Sequence, residues 1–120
     1  MNTQEIANRL VTLCRENKYV QAIEELYAKD IESKEPEGGN AEVTNGIEKV
    51  KEKTERFEGS IQEIHSAEIS DPIVALDHFA CVMDIDATYK EHGRMRMSEI
   101  CVYEVKNGKI VKDEFFYKMG

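Results

Sequence analysis

At 120 residues the chain has room for one domain with one core, burying roughly two thirds of its unfolded surface. Hydrophobic residues at 41% and charged residues at 33% exclude a disordered chain, and no apolar run is long enough to cross a bilayer. Twenty-four acidic against sixteen basic side chains give a net charge of -8, which repels phosphate backbones and anionic membranes, and the Lys and Arg residues form no stripe, so neither nucleic acid nor membrane is expected as a partner.

The N-terminus has no basic stretch followed by an apolar one, so a cytoplasmic location is expected. Ile6, Leu10, Leu13 and Cys14 then recur at the spacing of one helical face, with Asn2 and Glu5 as a capping pair. Tyr19, Ala22, Ile23, Leu26 and Tyr27 repeat that geometry in a second short helix. Glu35-Pro36-Glu37-Gly38-Gly39-Asn40 reads as the most flexible loop. A third helix carries Ile47, Val50, Thr54 and Phe57 on one face, with Asn45 and Glu48 at its start and Gly59 at its end.

From Ser60 the helical period gives way to strands over roughly 61–70, 73–89, 94–106 and 109–118, with turns at Asp71-Pro72, Glu91-His92-Gly93 and Asn107-Gly108. Helices followed by a meander of long strands imply a single α+β domain over 1–120, three N-terminal helices packed on a strongly curved antiparallel sheet. The three cysteines, Cys14, Cys81 and Cys101, each sit in an apolar pattern and read as buried thiols. His65, His78 and His92 lack metal-ligand spacing, so no metal and no cofactor is expected.

Splitting the strands by parity puts Phe79, Cys81, Met83 and Ile85 on one face, the expected core. Val74, Leu76, His78, Ala80, Val82, Asp84 and Asp86 fall on the other, whose apolar end is an expected homodimer surface. Glu99 interrupts the stripe Met95, Met97, Cys101, Tyr103 and Val105, where desolvation should raise its pKa. A two-residue turn at Asn107-Gly108 sets Cys101 opposite Glu114; a three-residue turn with a bulge sets it opposite Asp113, and is preferred because it turns Val111, Phe115 and Tyr117 inward. Either register places a second carboxylate near Glu99, an arrangement that can keep one acid protonated and one ionised. The same pattern serves equally as a buried polar network, with Glu99 satisfied by Tyr27, Tyr103 or a basic side chain.

Several segments resemble the SnoaL-like branch of the nuclear transport factor 2-like superfamily. They are Ala22-Ile23-Glu24-Glu25-Leu26-Tyr27-Ala28-Lys29-Asp30, Asn45-Gly46-Ile47, the run from Ser98 to Val111, and Phe115-Phe116-Tyr117. The resemblance implies a cone-shaped α+β fold around an internal pocket for a small apolar ligand. It covers polyketide cyclases and steroid isomerases as well as members without activity. By that likeness Glu35, before Pro36, stands where the isomerases carry a carboxylate base, Glu99 is a loose counterpart of their second oxyanion donor, and Asp113 corresponds to the cyclases' acid/base aspartate. Leu10 stands where the isomerases carry a tyrosine and cannot donate a hydrogen bond. The expected function is therefore proton transfer on a small carbonyl compound by Glu35, Glu99 and Asp113, within walls formed by Tyr27, Phe79, Met83, Tyr103, Phe115 and Tyr117. The alternative is a non-catalytic ligand-binding or dimerisation domain.

Overall fold

Helix α1 (Thr3–Arg15) starts where expected because Asn2 accepts from the Glu5 N–H while the Glu5 side chain accepts from the Asn2 N–H, a complete capping box. It buries Ile6, Leu10 and Leu13, each contributing about 1.5–3 kcal/mol through apolar burial. The computed structural model describes residues 1–36 and 42–118. Helix α2 (Tyr19–Leu26) ends one residue earlier than its apolar spacing predicts, because Tyr27 takes extended angles and opens strand β1 (Tyr27–Lys34). That strand occupies a segment without a clear pattern in the sequence. Its inward positions include the polar Ser33, as fully buried as Ile31, and this masks the alternation.

The expected loop begins at Glu35 and Pro36; residues 37–40 lie outside the described residues. A short strand β2 (Val43–Asn45) precedes α3 (Ile47–Gly59) and takes Asn45 into a ladder opposite Glu32, so Asn45 does not cap the helix. Gly46 does so without a side chain; its φ of 93° suits glycine, and its N–H reaches the Ile31 carbonyl.

The remaining strands are β3 (Ile61–Ile69), β4 (Ile73–Ala75), β5 (His78–Tyr89), β6 (Gly93–Lys106) and β7 (Lys109–Phe116). They form one sheet in the order β2-β1-β7-β6-β5-β3, with β4 also paired to β5. Every pairing is antiparallel except that of β1 with β7, so the curved sheet is mixed. Register shifts along β3 leave extra residues opposite the regular β5 strand, and such bulges bend the sheet around the helices.

Asp71-Pro72 does not reverse the chain. Ser70 pairs with Val82 through both its N–H and its hydroxyl, β4 resumes on the same edge of β5, and the reversal falls at Leu76-Asp77. Proline has no N–H for the ladder, so it interrupts the edge without turning it. The shifted turn flips the expected parity of β4: Val74 faces Phe79 and packs on the core, whereas Ile73 faces outward beside Ala80. On β5 the expected face is inward, with Phe79, Cys81, Met83 and Ile85 all buried.

The closing hairpin combines features of both expected registers. Asn107 and Gly108 lie at φ 53° and 75° in a two-residue turn that pairs Val105 with Ile110. One strand residue, Val111, is then bulged out, which sets Tyr103 opposite Asp113 and Cys101 opposite Phe115. Asp113 thus faces inward as preferred, but Cys101 opposes neither carboxylate, and Ile110 takes the inner place expected of Val111.

Candidate functional site

The inner face of the sheet descends in cross-strand rows from Ile85–Met97 through Met83–Glu99 and Cys81–Cys101 to Phe79–Tyr103. The deepest rows are packed core, where the Phe79 and Tyr103 rings stack at 4.6 Å and Phe115 meets Tyr103 edge-on at 6.5 Å. Of the expected wall residues, Tyr27, Phe79, Met83 and Tyr103 are buried in that core, while Phe115 and Tyr117 are half-buried. A groove of about 370 Å³ opens among Tyr19, Phe57, Ile61 and Ile85, one row above Met83 and Glu99. A second groove of about 320 Å³ is lined by Val43, Thr44, Lys49 and Arg56 among others, and neither groove is lined by any of the three carboxylates.

The three expected carboxylates occupy distinct environments. Glu99 on β6 is mostly shielded from solvent, its Oε1 accepting, among the described residues, only a long contact from the Cys101 thiol at 3.6 Å. Burial first, and then the charge of Glu35, raise its pKa to about 7, against smaller opposing effects from Cys101 and Lys53. A carboxyl group with that pKa exchanges a proton in either direction at neutral pH.

Asp113 on β7 is 2% exposed and accepts from the Tyr27 hydroxyl at 2.5 Å. Its other oxygen, Oδ1, has no hydrogen-bond partner among the described residues. Burial raises its pKa, while Ser33, Tyr27 and Lys53 pull it down; the Ser33 hydroxyl, one strand over in direct register, acts from outside hydrogen-bond geometry with Oδ1.

Glu35, just past β1, is held at both oxygens. Oε1 lies 3.2 Å from the Lys53 ammonium and Oε2 accepts from the Tyr117 hydroxyl at 2.8 Å. Burial, and then this bond to a carboxylate, raise the tyrosine pKa.

Lys53 and Ser33 are the site residues that the sequence reading missed. Lys53 lies three residues after Val50 and four before Phe57, on the inner face of α3, so helical spacing alone could have singled it out. Its ammonium donates to Ser33 at 3.0 Å and sits 5.7 Å from the Phe115 ring centre. Ser33 had no signal beyond being a polar residue in a strand.

The other candidates lie elsewhere. His78 is half-exposed beside Asp77, and His65 bonds Thr88. Asp84 and Asp86 are each gripped by two nitrogens of one arginine, Arg96 and Arg94 respectively. Among the described residues no His, Cys, Asp and Glu side chains cluster as a metal site.

A family profile for the SnoaL-like domain matches residues 1–117. A protein from Mesorhizobium loti, described provisionally as a SnoaL-like polyketide cyclase, is 34% identical with a TM-score of 0.91, the match covering 98% of this chain and 100% of that one. A nuclear transport factor 2-like protein from Burkholderia thailandensis is 20% identical with a TM-score of 0.81, over 98% and 92% of the two chains. TerC, co-crystallised with polyporic acid, is 15% identical with a TM-score of 0.75, over 95% and 89%. The last two share the fold alone. No curated protein matches the chain. The profile and the 34% relative agree along nearly the whole length, and on that ground the chain belongs to the SnoaL-like family, with its cone-shaped nuclear transport factor 2-like fold.

Proposed function

We propose that this protein moves a proton at the carbon beside the carbonyl of a small, largely apolar compound, as an isomerase or cyclase does, with Glu99 as the proton-transfer group. The observation that carries this reading is a mostly shielded carboxyl group on the inner apolar stripe, one row below the groove at Ile85, where burial raises its pKa to about 7. Glu35 is bound at both oxygens and so supports the site; it is a weaker base candidate than its place before Pro36 implied. Asp113, deeper and held by Tyr27, is a reserve proton carrier or an acceptor for a ligand hydroxyl. The provisional cyclase description of the 34% relative agrees with this chemistry, and TerC with polyporic acid is a case of a small organic molecule taken up by the same fold.

The test is deuterium exchange at the α-carbon of a panel of apolar ketones, followed by proton NMR. Glu99→Gln is expected to abolish exchange while the ketone still binds. Exchange that the variant leaves intact would remove Glu99 from this role, and no exchange above background with the wild type would assign the protein to the second reading, a binding domain without catalysis, which the fully engaged Glu35 and the packed lower rows favour.

We also propose that two copies pair through the outer sheet face. Val82, Ile100 and Phe116 form one cross-strand row there, 41%, 50% and 49% exposed, and Ile73, opposite Ala80 in the next row, widens the patch at 77%. Three free, buried thiols suit a reducing compartment, and we place the protein in the cytoplasm.

A further inference from the structure

Lys53 has three N–H donors and, among the described residues, uses two of them, on Ser33 at 3.0 Å and on Glu35 at 3.2 Å. Its side chain is 19% exposed and its charge faces the Phe115 ring. Three carboxylates surround this ammonium: Glu35 at the end of β1, Glu99 on β6 and Asp113 on β7, the last two close enough for Lys53 to lower their pKa values. Among these four groups only the ammonium attracts negative charge developing on a ligand oxygen.

We propose that Lys53 is the oxyanion-holding residue of the site, offering its remaining N–H to a ligand oxygen that becomes enolate or phenolate. The proposal rests on the proton-transfer reading above and names the substrate class as enolisable carbonyl compounds or phenols. In the step concerned, ionised Glu99 removes the α-proton, the C–H electron pair becomes the enolate double bond, and the carbonyl π pair moves onto the oxygen facing Lys53. The proton is then returned from Glu99, and no oxidant, reductant or metal takes part. Glu35 and Ser33 are positioning residues, because their two bonds aim the third N–H of the ammonium.

Binding of nitrophenols tests this without turnover. The phenolate absorbs at longer wavelength than the phenol, so a spectrophotometric titration reads the pKa of the bound probe. The wild-type protein is expected to lower that pKa by one unit or more, a tenfold preference for the anion. Lys53→Met and Lys53→Gln, two neutral variants of which either suffices, are expected to lose the preference, and Lys53→Arg to keep most of it. A probe that binds the wild type with its pKa unchanged, a shift that survives both neutral variants, or a nitrophenol series with no member bound at millimolar concentration would each overturn the proposal. Failure of the proton-transfer reading shows separately, as ketone exchange that Glu99→Gln leaves intact.

Discussion

The Tyr27 hydroxyl, at the start of β1, donates to the Asp113 carboxylate on β7 at 2.5 Å in the interior of the cone, across the parallel pair that β1 and β7 form. The contact explains why the chain leaves the helical conformation at Tyr27. One more residue of α2 would have kept a helical stripe but left a buried carboxylate with neither oxygen satisfied. Tyr27→Phe removes the donor and little volume, and is expected to destabilise the fold by about 1–3 kcal/mol, the cost of an unsatisfied buried acceptor. Urea denaturation measures it. A midpoint equal to wild type would mean that Asp113 is neutral and satisfied in some other way.

Glu99 makes stability depend on pH in a direction opposite to that of a salt-bridged acid. Its pKa rises from 4.5 in the unfolded chain to about 7 in the fold. Below 4.5 the group is neutral in both states and costs nothing; between 4.5 and about 7 only the unfolded chain ionises freely, and stability is lost until the folded group ionises too. The difference is worth roughly 3 kcal/mol at most. Glu99→Gln cannot titrate, so its stability relative to wild type is expected to improve progressively across that interval and to level off above it. Paired urea titrations at several pH values supply the measurement, and a constant difference would show that Glu99 keeps an ordinary carboxyl pKa.

How far the sequence could be read depended on whether one strand or helix carried its own pattern. Phe79, Cys81, Met83 and Ile85 declared the inner face because β5 alternates without interruption over twelve residues. Val74 was assigned to the wrong face because nothing local says that Leu76, at φ 52°, accepts a left-handed turn that glycine or asparagine would normally signal. The hairpin residues were legible as a turn, but the Val111 bulge that turns Asp113 inward reflects the burial of Ile110 and Asp113 together, a tertiary demand. Lys53 was passed over for a related reason. Its spacing with Val50 and Phe57 marks it as inward-facing, but such a lysine reads as a snorkelling side chain until Glu35, just past β1, and the charges of Glu99 and Asp113 on β6 and β7 are placed beside it.

The thiols provide a check on the packing of the inner face. Cys14, Cys81 and Cys101 are 4%, 3% and 0% exposed, and burial pushes the Cys14 thiol up to about 12. All three are expected to resist iodoacetamide in the native state and to react fully in urea, as mass spectrometry would show. Fast native labelling of Cys101 would mean that the rows beneath Glu99 open to solvent, and with them a deeper pocket than the packed Phe79–Tyr103 stack allows.

The outer face of the sheet poses the remaining question of assembly. Its row of Val82, Ile100 and Phe116 is bordered on one side by Asp84, which Arg96 of the same chain holds, and on the other by Ala80 and Val102, with Glu114 beside Val102. An exposed apolar row whose adjacent Asp84 is already paired suits a second copy more than a charged partner. Sedimentation is expected to show a dimer at micromolar concentration. Val82→Glu, at the end of that row, would place two like charges in a desolvated interface and is expected to weaken association on the order of a hundredfold, ~2.7 kcal/mol. Because Val82 is 41% exposed in the single chain, the same change should leave monomer stability within about 0.5 kcal/mol. A wild-type protein that sediments only as monomer, or a Val82→Glu variant that dimerises as tightly, would show that the exposed row serves some purpose other than self-association.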